Sequence, residues 1–217
     1  MGRPCFKIER TFPAPLAGVD EAGCAPLAGP VVAAAVVLDR DNFPRGLDDS
    51  KRVPPAQREK LYDRLHERAR VGVGIASVEE IDRLNIFWAR MLAMTRAVEA
   101  LGFDPLFVLV DGNRCPDWSR PSKAIVAGDA RCRSIAAASI VAKVTRDRIM
   151  GELDAECPGF GWASNMGYPT PAHKRALVEL GPTRHHRRSF APVAQRWLDL
   201  EGRAPAPPMA GNAAIES

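Results

Sequence analysis

The chain has 217 residues, a length that suffices for one large domain or two small ones. Hydrophobic residues make up 46% and charged residues 26%, an ordinary globular composition that excludes a disordered chain. The net charge is only +4, but the basic residues are clustered: residues 131–148 carry five against Asp147 alone, and residues 173–196 carry six against Glu179 alone. The longest uncharged stretch, residues 22–38, contains prolines and glycines, and the N-terminus has no apolar run, so the sequence predicts a cytoplasmic protein without a membrane segment.

Short apolar segments alternate with longer amphipathic ones, which predicts an α/β fold with a mixed sheet. An N-terminal arm is expected over residues 1–14, one domain over 15–201, and a disordered tail rich in Ala, Pro and Gly over 202–217. The predicted strands are Leu16–Asp20, Val31–Leu38, Val71–Val78, Leu106–Val110 and Ala124–Ala127. The predicted helices are Pro54–Arg70, Ile81–Leu101 (in one or two pieces), Ser134–Met150, one following Pro171, and Ala191–Leu200.

Acidic residues stand at the ends of three predicted strands. Asp20 and Glu21 end the first, Asp111 follows the fourth, and Asp129 follows the fifth. Functional groups gather at strand ends in open α/β sheets, and four clustered carboxylates could not all ionise without compensation. Mg²⁺ or Mn²⁺ would supply that compensation and could support hydrolysis of a phosphodiester.

A simpler interpretation exists for each acidic site taken alone, because Asp after a strand is commonly a turn former or a helix cap. The adjacent pair Asp20-Glu21 raises a further difficulty, since neighbours on a strand point to opposite faces. Both can serve one site only if the strand bends or ends there.

An ordered set of motifs extends from about residue 17 to 195. They are GVDEAG (18–23), PLAGPVV (26–32), DSK (49–51), DGN (111–113), GDA (128–130), AAASI with AKVTRD (136–147), GYPT (167–170) and HRRSF (186–190). In this order they resemble the bacterial ribonuclease HII family. The related type HIII has an additional N-terminal domain, which the short arm cannot supply.

The resemblance implies an RNase H-like mixed β-sheet flanked by helices, with a C-terminal helical extension. It implies an endonuclease that cleaves RNA in RNA–DNA hybrids and nicks duplex DNA at embedded ribonucleotides, leaving 3′-hydroxyl and 5′-phosphate ends. By matching position, Asp20, Glu21, Asp111 and Asp129 are the catalytic, metal-binding carboxylates, with Mn²⁺ or Mg²⁺ as cofactor. Tyr168 is expected beside the ribose. The remaining candidate substrate contacts are Gly23, Cys24, Ala25, Ser50, Lys51, Lys143, Arg187 and Arg188. The Arg187-Arg188 pair could hold phosphates or bridge to an acidic partner within the fold.

Two departures from the family pattern concern substrate contacts. The family usually has Gly-Arg-Gly where this chain has Gly23-Cys24-Ala25, and a Lys is common where Met166 stands. Cys24 removes a charge-assisted contact, and Ala25 would be strained only if its φ were positive. We therefore expect cleavage to be retained and the preference for the RNA–DNA junction to be relaxed.

Three other interpretations compete with this one. The first is a proofreading exonuclease, but such enzymes typically begin with Asp-x-Glu instead of adjacent Asp20-Glu21, and they lack GYPT. The second is a non-catalytic duplex-binding protein, which would not need four acidic residues in one place. The third is a Cys24 nucleophile, which would need a partner histidine that the sequence does not suggest.

The five scattered cysteines predict no disulfide framework or zinc site. A monomer is expected, and a replication clamp is a possible partner that no clear peptide in the tail indicates.

Overall fold

The computed structural model describes residues 3–202, apart from the side chain of Glu201. One mixed sheet contains five strands: β1 (Leu16–Ala22), β2 (Val31–Leu38), β3 (Ala69–Ala76), β4 (Phe107–Asp111) and β5 (Ser122–Ile125). Their order in the sheet is β3-β2-β1-β4-β5. β1 is antiparallel to β2, which is antiparallel to β3, whereas β1, β4 and β5 run parallel. The predicted α/β fold with a mixed sheet is thereby confirmed.

Seven α-helices accompany the sheet in the described part of the chain, and a 3-10 turn precedes β1. The segment predicted as one or two helices is two, because Asn85 adopts φ 68° and its side chain caps the second helix by accepting from the Phe87 amide (2.9 Å). The helices are α1 (Pro55–Arg68), α2 (Val78–Leu84), α3 (Ile86–Glu99), α4 (Arg133–Glu156), α5 (Trp162–Asn165), α6 (Pro171–Leu180) and α7 (Ala191–Glu201).

Some predicted boundaries were wrong. β5 ends at Ile125, before the predicted end at Ala127, which itself adopts a left-handed φ of 52° that no strand can continue through. α4 continues past Met150 to Glu156. β3 begins at Ala69, where the sequence predicted the last turn of α1.

Small residues let helices pack closely on both faces of the sheet. On one face α3 covers alternate residues of β1, including Ala17 and Val19. On the other face the Ala-rich first half of α4 packs against β1 and β2. A Cβ on Gly18 would lie 2.2 Å from the backbone carbon of Ser134, so this close approach of α4 to β1 requires glycine.

The residues before β1 pack against the start of α4. Glu9 is buried, and its carboxylate accepts from the backbone amide (3.1 Å) and hydroxyl (3.2 Å) of Ser134. Phe12 stacks on Phe107 of β4 with ring centroids 4.3 Å apart. The division into an arm (1–14), a catalytic domain (15–201) and a tail stays a prediction, and residues 203–217 of that tail lie outside the described residues. Over residues 3–202, no helix combines the length and apolar character needed to cross a bilayer.

Candidate active site

The sheet register brings the first two acidic residues together. β1 and β4 run parallel with Val19 opposite Val110, so the next residue of each strand, Asp20 and Asp111, are neighbours at the carboxyl ends. Asp20 is buried, and its side chain accepts from the backbone amide of Glu21 (2.7 Å). The two carboxylates therefore lie side by side at the edge where ligands bind in open α/β sheets.

Glu21 reaches the same site although β1 does not end before it. β1 continues through Ala22 while paired to β2, but β4 ends at Asp111. Beyond that point β1 has no strand neighbour on the β4 side, and Asp20 and Glu21 both line the same cleft. This overhang resolves the difficulty of adjacent residues that point to opposite faces.

Loop backbone orients the other two carboxylates. The Oδ1 atom of Asp111 accepts from the Gly128 amide (2.7 Å), and that of Asp129 accepts from the Ala130 amide (2.8 Å). Asp129 thus stands in a turn several residues after β5 and not at its end. The hydrogen bond to Gly128 ties this turn to Asp111.

A cleft of about 480 Å³ contains all four carboxylates. Seven of the other predicted site residues also line it, whereas Arg187 and Arg188 do not. The structure adds Ala22, Ser139 and Arg146 to the lining. The predicted residues in the cleft are Asp20, Glu21, Asp111, Asp129, Gly23, Cys24, Ala25, Ser50, Lys51, Lys143 and Tyr168.

Burial and mutual repulsion make the carboxylates costly to ionise without a cation. Burial raises the pKa of Asp20 well above its usual value, and the charges of Glu21 and Asp111 raise it further. Burial also raises the pKa of Glu21, partly offset by the Arg90 guanidinium 3.4 Å away, and it raises that of Asp129. The metal-free site is therefore electrostatically strained.

We expect Asp20→Asn to stabilise the metal-free protein at pH 7. Because folding raises the pKa of Asp20, its stabilising contribution is complete below about pH 4 and is lost as the pH rises through the folded-state pKa. Asn removes the charge and keeps the acceptor for the Glu21 amide. Thermal unfolding in EDTA should show a gain of about 1–3 kcal/mol, or several degrees.

The gain in stability from Asp20→Asn should shrink towards pH 4, where wild-type Asp20 is protonated. Asp117→Asn, which neutralises an exposed acid, serves as the control and should leave the stability within about 0.5 kcal/mol of the wild-type value. A metal-free Asp20→Asn protein no more stable than wild type at pH 7 would contradict the electrostatic account.

The loop that follows β1 forms one wall of the cleft. Gly23 has φ 99°, and a Cβ there would lie 2.1 Å from Nε of Arg146. Ala25 is not among the residues with positive φ, so alanine causes no backbone strain at this position. The Cys24 thiol donates to Glu21 (3.6 Å), and burial together with the Glu21 charge raises its pKa to about 12. A protonated thiol is not a nucleophile, which argues against the Cys24 alternative.

Arg187 holds this loop from behind, a role that neither interpretation considered for its side chain includes. The guanidinium is fully buried and donates to the carbonyls of Gly23 (2.6 Å), Cys24 (3.1 Å), Gly29 (2.9 Å) and Pro30 (3.3 Å). Its partners are backbone oxygens and not phosphates or a carboxylate. Within residues 3–202 it forms no ion pair with an acidic side chain.

Arg146 of α4 supports the same loop from a second side. It is 1% exposed and donates to the carbonyls of Pro30 (3.0 Å), Ala28 (3.2 Å) and Met166 (3.0 Å). Burial removes water from Arg146 and Arg187 and lowers the pKa of both guanidinium groups. Their seven hydrogen bonds to carbonyl oxygens compensate for that lost hydration. The sequence motif contained Arg146, but nothing in its spacing indicated burial.

Arg188 and Met166 also lie apart from the cleft lining. The Arg188 guanidinium stands 3.9 Å from the centre of the Trp197 ring, and its backbone amide donates to Asp82 (3.0 Å). The side chain of Met166 packs into an apolar cluster that includes Met150 and Phe160. Met166 therefore contributes to packing at this position.

A buried histidine pair supports the carbonyl of Tyr168, whose ring is 41% exposed at the cleft. Trp162 Nε1 donates to Nε2 of His173 (3.0 Å), which assigns the proton to Nδ1 and lets that atom donate to the Tyr168 carbonyl (2.9 Å). Nε2 of His186 lies 3.2 Å from Nε2 of His173. Burial lowers the pKa of both histidines, that of His186 to about 3, so both are neutral at physiological pH.

Three polar residues predicted to contact phosphates also line the cleft, and two of them have partners within the fold. The buried Ser50 receives a bond from the Arg58 side chain at its carbonyl (2.7 Å) and donates its amide to Ser139 (3.2 Å). Lys143 pairs with Asp147 (2.5 Å), while Lys51 is exposed. The sequence did not indicate Ser139 or Arg90 as site residues, because only tertiary packing places Ser139 beside the Ser50 amide and Arg90 beside Glu21.

The fold and the acidic cleft together define a nuclease of the RNase H-like class. The ribonuclease H2 of Pyrococcus horikoshii OT3 has the same fold, with a TM-score of 0.73 at 29% identity over 86% of this chain and 98% of that one. An RNase HII of Archaeoglobus fulgidus, solved in complex with PCNA, superposes with a TM-score of 0.69 at 27% identity over 81% and 94% of the two chains.

The sequence comparisons narrow this class. The family model for ribonuclease HII matches residues 17–193. The ribonuclease HII of Rhizorhabdus wittichii is 63% identical over 90% of this chain and 96% of its own length. That of Parvibaculum lavamentivorans is 58% identical over 87% and 71%. The chain belongs to the ribonuclease HII family, and its activity is that of a ribonuclease H endonuclease.

Proposed function

We propose that Asp20, Glu21, Asp111 and Asp129 hold Mg²⁺ or Mn²⁺ and that the protein cuts on the 5′ side of a ribonucleotide, in hybrids and in duplex DNA alike. The observation that supports this most directly is the neighbouring placement of Asp20 and Asp111 in a buried, acidic cleft. Structural carboxylates are rarely buried beside one another without a cation.

The donor set of the cleft fits a hard divalent ion. Oε2 of Glu21 is buried and has no hydrogen-bond partner among the described residues, although a buried carboxylate oxygen normally has one. Its other oxygen faces Arg90 and Cys24. Carboxylate oxygens are the ligands that Mg²⁺ and Mn²⁺ prefer. When bound, the metal supplies Lewis acidity for hydrolysis of a phosphodiester.

The protein backbone orients the carboxylates, and its side chains contribute recognition. Gly128 and Ala130 fix the rotamers of Asp111 and Asp129 through their amides. We infer that Tyr168 covers the ribose and that its hydroxyl reads the 2′-hydroxyl, the group that distinguishes RNA from DNA. Ser50, Lys51 and Lys143 would contact phosphates across the cleft, and Gly23, Cys24 and Ala25 would approach the sugar. Arg187 and Arg188 are not included in this proposal, since neither lines the cleft.

Cleavage of end-labelled duplexes tests the proposal. One duplex carries a single ribonucleotide in DNA and the other is a continuous RNA–DNA hybrid, each incubated with Mg²⁺, Mn²⁺ or EDTA. We expect metal-dependent cleavage of both, with 3′-hydroxyl and 5′-phosphate ends, and no cleavage in EDTA. Binding without cleavage at any metal concentration would instead favour the non-catalytic interpretation. The monomeric state stays a prediction, and a replication clamp stays a partner that the sequence permits but does not indicate.

Restoring the common family residues at positions 24 and 25 should increase the preference for a single embedded ribonucleotide over a continuous hybrid. In Cys24→Arg/Ala25→Gly, the new guanidinium can form charge-assisted bonds to a phosphate, which are roughly twice as strong as neutral ones. We expect the preference for one embedded ribonucleotide over a continuous hybrid to rise by roughly tenfold, measured as the ratio of the two kcat/KM values. Cys24→Ser/Ala25→Gly is the uncharged control, and an equal gain in both variants would contradict the charge argument.

A further inference from the structure

A second concave surface lies beside the catalytic cleft and contains none of the predicted site residues. This basic groove, with a volume of about 760 Å³, is larger than the cleft. Its walls are the N-terminal segment before β1 and the outer strand β5 with the turn after it. Its charged lining residues are Arg3, Lys7, Lys123 and Arg131.

The groove has a net positive charge with no acidic residue among its described lining. Arg3, Lys7, Lys123 and Arg131 are all exposed, and none of the four forms an ion pair within residues 3–202. Between them, Ile8 and Phe12 form an apolar floor. Unpaired cations along a concave surface are the electrostatic footprint of a polyanion.

The groove and the cleft meet at a single turn. Asp129 lines the cleft, while the next two residues, Ala130 and Arg131, line the groove. The amide of Cys5 donates to the Arg131 carbonyl (3.1 Å), which fixes the N-terminal segment to this turn. The turn at residues 129–131 therefore connects the lining of the cleft to the lining of the groove.

We propose that the basic groove binds the phosphate backbone of the substrate duplex on one flank of the cleavage site. The N-terminal segment would then extend the substrate-binding surface, although Arg3 and Lys7 lie outside the residues that the family model matches. This inference rests on duplex nucleic acid being the substrate. It adds an interaction that depends on how far the duplex extends beyond the ribonucleotide.

Binding of duplexes with different flank lengths tests the proposal. Lys7→Gln, Lys123→Gln and Arg131→Gln are combined in one variant. The matched control combines Lys60→Gln, Arg64→Gln and Arg68→Gln, which remove the same charge from the exposed face of α1. Both sets are made in the Asp111→Asn background so that Mg²⁺ can be present without cleavage. Affinity is measured from about 0.05 to 0.3 M salt, a range over which phosphate-mediated binding changes steeply.

On a duplex extended on both sides, the groove variant should bind roughly tenfold more weakly at about 0.1 M salt than its parent. Its log–log salt slope should become shallower by about 0.9 for each phosphate that the variant no longer neutralises. Shortening one flank should abolish the difference between variant and parent, whereas shortening the other should leave it intact. The α1 control should show neither effect.

Equal weakening by the groove and α1 variants, or a groove effect that is independent of both flank lengths, would overturn the proposal. An unchanged affinity and salt slope in the groove variant would also overturn it and would leave an acidic protein segment as the alternative occupant. Cleavage of the same duplexes by the unaltered protein reports the proposed function separately, so failure of one idea does not imply failure of the other.

Discussion

Asp111→Asn should reduce cleavage by about 10³-fold or more while leaving the fold and duplex binding intact. Asp111 is the residue of β4 that stands next to Asp20, and its charge is part of the field that a divalent ion must neutralise. An amide is a weaker metal ligand than a carboxylate, and loss of one member of a cooperative catalytic unit commonly removes most of the rate.

Asparagine is the informative replacement because the local structure tolerates it. Its Oδ1 can still accept the Gly128 amide that now binds Asp111 at 2.7 Å. Single-turnover cleavage with Mg²⁺ and with Mn²⁺ measures the effect, and Asp117→Asn controls for a surface charge change. Activity above about a tenth of the wild-type value, a loss of less than about 1.4 kcal/mol, would show that Asp111 is not needed for the metal site.

Arg187→Ala should lower the free energy of unfolding by about 3–5 kcal/mol. The substitution removes four hydrogen bonds to carbonyls of the loop between β1 and β2 and leaves those buried oxygens without this donor. Denaturant unfolding at fixed pH measures the loss. Arg188→Ala is the matched control, because its exposed side chain only stacks on Trp197, worth about 0.5–1 kcal/mol.

Arg187→Lys provides a measurement if the alanine variant does not fold. One ammonium cannot reach four carbonyls arranged around a guanidinium, so lysine should recover only part of the stability. A residue that contacted phosphates instead would behave differently: Arg187→Ala would keep its stability and raise KM, with a smaller salt slope. That outcome would contradict the buried role.

Sequence patterns predicted the strands and helices in chain order, because these depend on local periodicity. The gathering of four acids was instead implied by the resemblance to ribonuclease HII, since each acidic site taken alone also fits a turn or a helix cap. Sequence patterns did not predict how Asp20 and Glu21 serve one cleft, since the overhang of β1 beyond β4 depends on the register between distant strands. The positions of Arg146 and Arg187 were equally hidden. Their neighbours in sequence are charged or polar, and only the tertiary fold surrounds them with carbonyl oxygens.

The boundaries that differ have local causes. The left-handed conformation of Ala127 shortens β5 and moves Asp129 into a turn, which no propensity of alanine predicts. Conversely, the strain considered for Ala25 does not arise, because that residue has no positive φ.

The protein interior holds the loop from Gly23 to Pro30 through its carbonyl groups, so the outward side chains at positions 24 and 25 have little influence on its course. Positions 24 and 25 are therefore free to vary during evolution without rebuilding the cleft wall. Substrate preference can change there by substitution of one or two residues. Arg146 and Arg187 must instead be retained, because their hydrogen bonds to the protein's own carbonyl groups keep the cleft wall in place.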